Sequence, residues 1–353
     1  MSANQQTIAA GESLPKKKLD FIPLLLVPIL ALCAIPVVND IPIWATLTIA
    51  GIGMAFIIFL TASGLTLVFG LMDVLNFGHG TFITLGGYLG ATFLGSTMMT
   101  VVAGANADFL QQWYGDENSL MLNMTALFIA ALIGVIITGI IGLIFERLIV
   151  RPVYGSHMAQ ILVTSGGMIV ADQLILALWG PDLLPLSKPP SLNGAVLFGE
   201  IAVEKYRLMT LIVGLVIFIG MMLILNRTKL GLLIRAGVQD REMVEAMGYK
   251  IKFLFVAVFA VAAMLASVGG LLWGIYQDAV TVQLGHTLTV IIFITIIIGG
   301  MGSIGGAFIG ALLVGLLFNY TAFVYPSAAA FSNIALLALI ILWRPNGMYP
   351  VKK

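Results

Sequence analysis

The feature that most limits what this chain can fold into is a series of long apolar runs joined by short polar connections. The runs are Phe21–Val38, Ile43–Gly70, Thr81–Ala103, Leu120–Phe145, Met158–Trp179, Leu208–Leu225, Phe253–Tyr276, Thr287–Gly299, Ala307–Tyr325 and Ser327–Trp343. A helix needs about 20 apolar residues to cross a hydrocarbon core, and most of these runs meet that length. Composition leaves little alternative. The 353 residues are 60% hydrophobic and 9% charged, with a mean hydropathy of +1.08, whereas a soluble domain carries about 25% charged residues. A chain of this size cannot hide so much apolar surface from water, so its solvent is lipid. The expected fold is an all-α polytopic membrane protein with about ten transmembrane helices, some of them broken. The eighth run is too short for a clean crossing unless it starts earlier, near Ala279.

Basic residues favour the cytoplasmic side of membrane proteins. With the N-terminus inside, only Lys188, Lys205 and Arg207 of the 17 lysines and arginines fall on the outer side. That asymmetry, with an even number of spans, predicts that both termini are cytoplasmic. The chain then divides into a tail over 1–20, a transmembrane region over 21–345 and a second tail over 346–353. Lys16, Lys17 and Lys18 before an apolar run also resemble the start of a signal peptide. The small-x-small pattern at Ala31–Cys33 is a poor cleavage site, and the run reads as a first helix. Its removal would leave nine spans and put the mature N-terminus outside.

Several functions are excluded. The net charge is +1 and no basic cluster is present, so nucleic acid is not a partner. Cys33 is the only cysteine and allows no intrachain disulfide. No His, Cys and carboxylate set has metal-ligand spacing, and His157 and His286 stand isolated in sequence. No phosphate-binding G-x-x-x-x-G-K-[ST] loop occurs, so the chain does not hydrolyse ATP itself. No arrangement reads as catalytic, and no cofactor is expected.

The stretch Ser63–Gly90 interrupts apolar sequence with Asp73, Asn76, Gly78, His79 and Gly80. Irregular backbone is tolerated at membrane depth only where protein or water covers it. A simple cytoplasmic turn is one reading. The other is a break in the membrane that lines a path, favoured by the absence of lysine and arginine and by the apolar Val74, Leu75 and Phe77. Asp172, inside the fifth run, faces the bundle interior or hydrogen-bonds a neighbour, since a charge in lipid is costly. The inner segment Asn226–Lys252 carries apolar residues at near-helical spacing. Two short helices with a bend near Gly237 and a C-cap at Gly248 fit it. It is either a surface helix that anchors the bundle or a docking element for a cytosolic partner. Gly302, Gly306 and Gly310 recur at four-residue spacing, as on one helical face, where small residues let helices approach closely. The adjacent Gly299–Gly300 and Gly305–Gly306 pairs would also permit a break between the eighth and ninth spans. Gly180–Glu204 carries four prolines, which predict a stiff crossing loop.

Six segments in order resemble the inner-membrane permeases of high-affinity branched-chain amino acid ABC importers, the LivH type. They are GLTLVFGLMDVLNFGHGTFITLGGYLGA at Gly64–Ala91, ERLIVRPVYG at Glu146–Gly155, TKLGLLIRAGVQDREMVEAMG at Thr228–Gly248, GGLLWG at Gly269–Gly274, GGMGSIGGAFIGALLVG at Gly299–Gly315 and RPNGMYP at Arg344–Pro350. The resemblance covers about Gly51 to the C-terminus. It implies a bacterial inner-membrane transport subunit that is not itself an enzyme. It also implies a LivM-type second permease, two cytoplasmic ABC ATPase subunits and a periplasmic substrate-binding protein as partners, with lipid around the bundle. Gly231, Arg235, Ala236, Asp240 and Gly248 would engage the ATPase. Asp73, Asn76, Phe77, His79 and Gly80 would lie at the broken region near the substrate path. The family commonly has alanine where Gly78 stands, so a looser backbone is expected there, open to another side chain. Related permeases carry urea, short amides or other amino acids. An ion-coupled secondary transporter is a further alternative.

Overall fold

The computed structural model describes residues 22–94, 120–239 and 241–350. The helices are α1 (Ile22–Cys33), α2 (Ile35–Val38), α3 (Ile41–Met72), α4 (His79–Leu94), α5 (Leu120–Phe145), α6 (His157–Trp179), α7 (Lys205–Arg227), α8 (Lys229–Gln239), α9 (Arg241–Ala246), α10 (Ile251–Tyr276), α11 (Leu284–Gly299), α12 (Ile304–Val324) and α13 (Ala329–Trp343). Seven helices among the described residues are long and apolar enough to cross a membrane, with shorter apolar segments at Ile22–Val38 and Leu284–Gly299. The chain is a polytopic all-α membrane protein, as its apolar runs predict. The N-terminal tail, the segment 95–119 and the end of the third run lie outside the described residues.

Two helices form the centre. α3 is capped by the Asp40 carboxylate, which accepts the Ile43 N–H at 2.9 Å. Its 32 residues span about 48 Å at 1.5 Å per residue, well beyond the hydrocarbon thickness. The apolar stretch of α3 is 89% buried, against 17% for Pro326–Trp343, which contains α13, so α3 is enclosed by protein and α13 faces outward. α3 packs on α12, α10 and α7, and α10 also packs on α4 and α5. Glycines set the close approaches. A Cβ at Gly269 of α10 would strike Thr61 of α3, and one at Gly270 would strike the Ile83 backbone of α4. The GGLLWG segment therefore faces two helices at once. Phe59 meets the rings of Phe218 and Phe308 edge-on at 5.4 Å each, which ties α3 to α7 and α12.

One end of the bundle carries a strap. β1 (Leu184–Pro185) pairs antiparallel with β4 (Ala279–Val280), and β2 (Ala195–Phe198) forms a hairpin with β3 (Ile201–Glu204). Lys188 Nζ sits 3.0 Å from Glu204 Oε1 and 3.5 Å from Asp278 Oδ2, and Arg207 Nε donates to Glu204 Oε2 at 3.0 Å. Partial burial favours the neutral acid at Glu204, but hydrogen bonds and charge from Lys188 and Arg207 outweigh it and hold the pKa below the usual carboxylate range. The proline-rich loop is thus pinned across the bundle. At the other end the C-terminal segment folds back, with the Met348 and Tyr349 N–H groups donating to Ile298 and Gly299 carbonyls at 2.9 Å each. Residues 346–350 are an anchored part of the bundle, not a free tail.

Three expectations need correction. The first apolar run is two helices broken at Ala34, because Pro36 has no N–H to continue the ladder. α11 starts at Leu284, not near Ala279, because Ala279–Val280 is committed to the strap. Gly302 does not share a helical face with Gly306 and Gly310. Its φ of +82° lies in the left-handed region, so it turns the chain before α12 begins. There it meets Gly70 at the end of α3, while Gly306 and Gly310 pack against Gly299 and Thr295 of α11.

Candidate functional site

The site is built where α3 ends. Asp73 takes a left-handed conformation with φ 53°, which stops the helix. The following residues do not run along a membrane surface. They climb back beside α3, and His79 Nε2 reaches the Thr61 carbonyl at 3.1 Å. The Thr61–Met72 segment is about 16 Å long, so α4 begins deep inside the bundle. A carbonyl oxygen only accepts, so Nε2 carries the proton of this hydrogen bond. The Ser63–Gly90 stretch is therefore a re-entrant connection rather than a plain turn.

Non-helical backbone at this depth needs partners for its N–H groups. α6 supplies them from one stripe of its surface. The Leu75 N–H donates to Gln160 Oε1 at 3.2 Å, and the Phe77 N–H donates to Thr164 Oγ1 at 3.1 Å. Gln160, Thr164, Met168 and Asp172 recur every fourth residue, and all are buried. Gly80 lies where α4, α6 and α11 meet. A Cβ there would stand 2.5 Å from Thr289 Oγ1, 2.7 Å from the Gly285 carbonyl and 2.7 Å from Met168 Cε. The Gly285 N–H donates to Thr84 Oγ1 at 2.9 Å, which fixes the start of α11 against the start of α4. Phe77 stacks on Phe293 of α11 with centroids 4.8 Å apart. Gly78 does not open space for another side chain, contrary to expectation. The Phe145 ring fills it, with Cζ 2.5 Å from where a Cβ would be.

The connection keeps polar capacity unspent. Both amide atoms of Asn76, Nδ1 of His79 and the hydroxyl of Thr81 are sealed from solvent and have no hydrogen-bond partner among the described residues. Asn76 is 0% exposed, and His79 and Thr81 are each 1% exposed. Buried polar groups are nearly always paired, and each exception asks for a reason. Here they cluster at the first turn of α4, whose dipole presents positive potential to anything placed before it.

At the end opposite the strap, α8 and α9 form the amphipathic segment that the sequence predicts; α8 runs through Gly237 to Gln239 without the expected bend, and residue 240 lies outside the described residues. Val244, Ile251 and Phe255 form a small apolar core closed by Met72, Leu233 and Ala236. Met72 is the last residue of α3, so this segment touches the root of the re-entrant connection. A Cβ at Gly231 would strike the Leu225 carbonyl group at the α7–α8 corner. Gly248, at φ +88°, terminates the segment with its N–H on the Glu245 carbonyl at 3.0 Å. Asp240 and the Arg235 side chain lie outside the described residues. Beside Asp73, a cavity of about 250 Å³ is lined by Met72, Asp73, Tyr154, Gly155, His157 and Phe255. His157 Nε2 is 3.9 Å from Asp73 Oδ2 at its rim.

Sequence reading missed the histidine partners. His286 Nε2 donates to Asp172 Oδ2 at 2.6 Å, and His157 faces Asp73. Gln160 and Thr164 were also missed, although their four-residue spacing with Asp172 in an apolar run was a usable signal.

The sequence pattern of the family described as "Branched-chain amino acid transport system / permease component" matches residues 47–343. The chain is 28% identical over 298 residues to the high-affinity branched-chain amino acid transport system permease protein BraD of Pseudomonas aeruginosa, covering 82% of this chain and 90% of that protein. It is 26% identical over 298 residues to the corresponding permease protein LivH of Escherichia coli K12, with the same coverage. A probable branched-chain amino acid transport permease protein LivH of Methanocaldococcus jannaschii is 26% identical over 285 residues, covering 78% of this chain and 79% of that protein. No solved structure matches the chain.

Proposed function

The chain belongs to the family of permease components of branched-chain amino acid transport systems, and on that premise we propose that it is the inner-membrane subunit through which branched-chain or related amino acids enter the cell. A separate pair of cytoplasmic ABC ATPases supplies the energy, a LivM-type chain is the second permease, and a periplasmic binding protein delivers substrate. The α8–α9 end is cytoplasmic, as its basic residues favour, and the strap faces outward.

One observation carries the mechanism: the α8–α9 core closes on Met72, immediately before the left-handed turn at Asp73. Nucleotide binding favours one arrangement of the ATPase pair, and the permease follows as a rigid-body switch. A displacement of α8 and α9 pulls on the root of 73–78. That frees the connection from Gln160 and Thr164 and the α4 start from Thr289, and exposes Asn76, His79 and Thr81 to substrate. Gly231, Arg235, Ala236, Asp240 and Gly248 form the ATPase-facing segment in this reading.

Reconstituted with its partners, the chain is expected to import labelled leucine, isoleucine or valine only with ATP, whether or not a proton gradient is present. Uptake that collapses with an uncoupler at constant ATP would sink the proposal. The Asp172–His286 pair favours that second reading, because an intramembrane carboxylate with a histidine is also suited to proton coupling. Transport of urea or a short amide in place of amino acids would keep the permease role and change the substrate.

A further inference from the structure

We infer that Asp172 is a specificity-determining residue, its Oδ1 receiving the α-ammonium group of the amino acid in the path. This inference rests on the amino-acid reading of the site.

An ionised carboxylate within a membrane helix is costly unless its oxygens are compensated. Only half of Asp172 is. Oδ2 accepts from His286 Nε2, whereas Oδ1 is buried and has no partner among the described residues. Asp172 is 6% exposed, but the His286 side chain is 50% exposed, so the pair lies at the edge of an open face. A carboxylate accepts several hydrogen bonds and donates none. The partner that fits Oδ1 is a compact cation with N–H donors.

Position narrows which cation. Asp172 is one helical turn beyond Met168, and His286 is one turn before Thr289. Met168 and Thr289 are the residues that close on Gly80 at the start of α4. Asp172 therefore lies one turn of α6 beyond the contact that Met168 makes at the start of α4. An amino acid presents an ammonium and a carboxylate on one carbon, so the two groups can take partners on adjacent turns of the lining. Its carboxylate suits the α4 dipole and the donors of Asn76 and Thr81, and its ammonium then falls towards Asp172. A neutral amide would not need the second charge.

The test uses the complete transporter in proteoliposomes, with binding protein preloaded with L-leucine and both uptake and ATP hydrolysis recorded. Asp172→Asn keeps the acceptor for His286 and removes the charge. Loss of a charge-assisted hydrogen bond predicts a fall in leucine delivered per ATP of about 10-fold or more, with binding-protein-stimulated hydrolysis unchanged. His286→Gln keeps a donor to Oδ2 and is expected to retain uptake within about 3-fold, the scale of a weakened hydrogen bond. Wild-type leucine uptake by Asp172→Asn, or parallel loss of uptake and hydrolysis in both variants, would overturn the inference and leave the pair as a tie between α6 and α11. If Asp172→Asn does not assemble, Asp172→Glu decides, since its charge is kept but displaced by one methylene. Full leucine uptake by that variant overturns the inference, and a specific fall in leucine per ATP supports it. A wild-type complex that imports no amino acid fails the parent reading instead, whatever the variants do.

Discussion

Asn76 is the residue at which stability and function pull apart most clearly. Its amide is wholly buried without a partner among the described residues, and such a group costs about 1–3 kcal/mol. Asn76→Leu keeps the volume and removes that cost. The expected outcome is equal or higher thermal stability in detergent, with uptake reduced at least about 10-fold if a charge-assisted contact to substrate is lost. Unchanged uptake would remove Asn76 from the path. Gly80→Val is expected to abolish uptake by driving α4 from α11, since its Cβ has only 2.5 Å to Thr289 Oγ1. A normal uptake rate from a variant that inserts at wild-type level would contradict that packing. At this scale Asn76 and His79 were legible because polar residues stand out in an apolar run. His286 was not, because nothing beside it in sequence signals a carboxylate partner.

Elements show the same split between what is local and what is not. The expected runs Leu120–Phe145 and Met158–Trp179 agree with α5 and α6 almost residue for residue, because hydropathy reports each helix independently of its neighbours. The end of α3 and the start of α4 also lie near where polar residues predict them, but their depth does not follow from position. That depth depends on latches from α6. Thr164→Val with Gln160→Leu leaves the Phe77 and Leu75 N–H groups unpaired, at about 1–3 kcal/mol each. The double variant is expected to raise amide exchange in 73–80 specifically, measurable by mass spectrometry. The α8–α9 element makes a further prediction. Gly231→Val forces the α7–α8 corner apart at the Leu225 carbonyl. Membrane insertion should persist while binding-protein-stimulated ATP hydrolysis and uptake both fall to background. Retained stimulation would separate this corner from coupling.

Across the whole molecule, the strap makes stability depend on pH. The folded pKa of Glu204 is lowered by Lys188 and Arg207. Its contribution is therefore present above the unfolded carboxylate value of about 4.5 and is lost as pH falls through the lower folded value. Thermal unfolding of the wild type should show this acid-side loss, and Glu204→Gln should lack most of it. An identical pH profile for the two proteins would mean that the cluster is not coupled to folding. The strap also explains why the eighth span is short: Ala279–Val280 pairs with Leu184–Pro185 instead of extending α11.

Hydropathy alone places the chain in lipid and divides it into about ten apolar segments, and an ordered series of motifs marks a permease. These properties are sums over neighbouring residues, and each motif is contiguous. Packing between distant helices is what starts α4 beside Thr61 rather than at a membrane surface, fills Gly78 with Phe145 and makes Gly302 turn the chain instead of packing within a helix. It alone joined Asp172 to His286 across 114 residues. In lipid, unpaired backbone and charge must find partners wherever the chain can supply them. Those partners come from other helices, at sequence separations that no local pattern encodes.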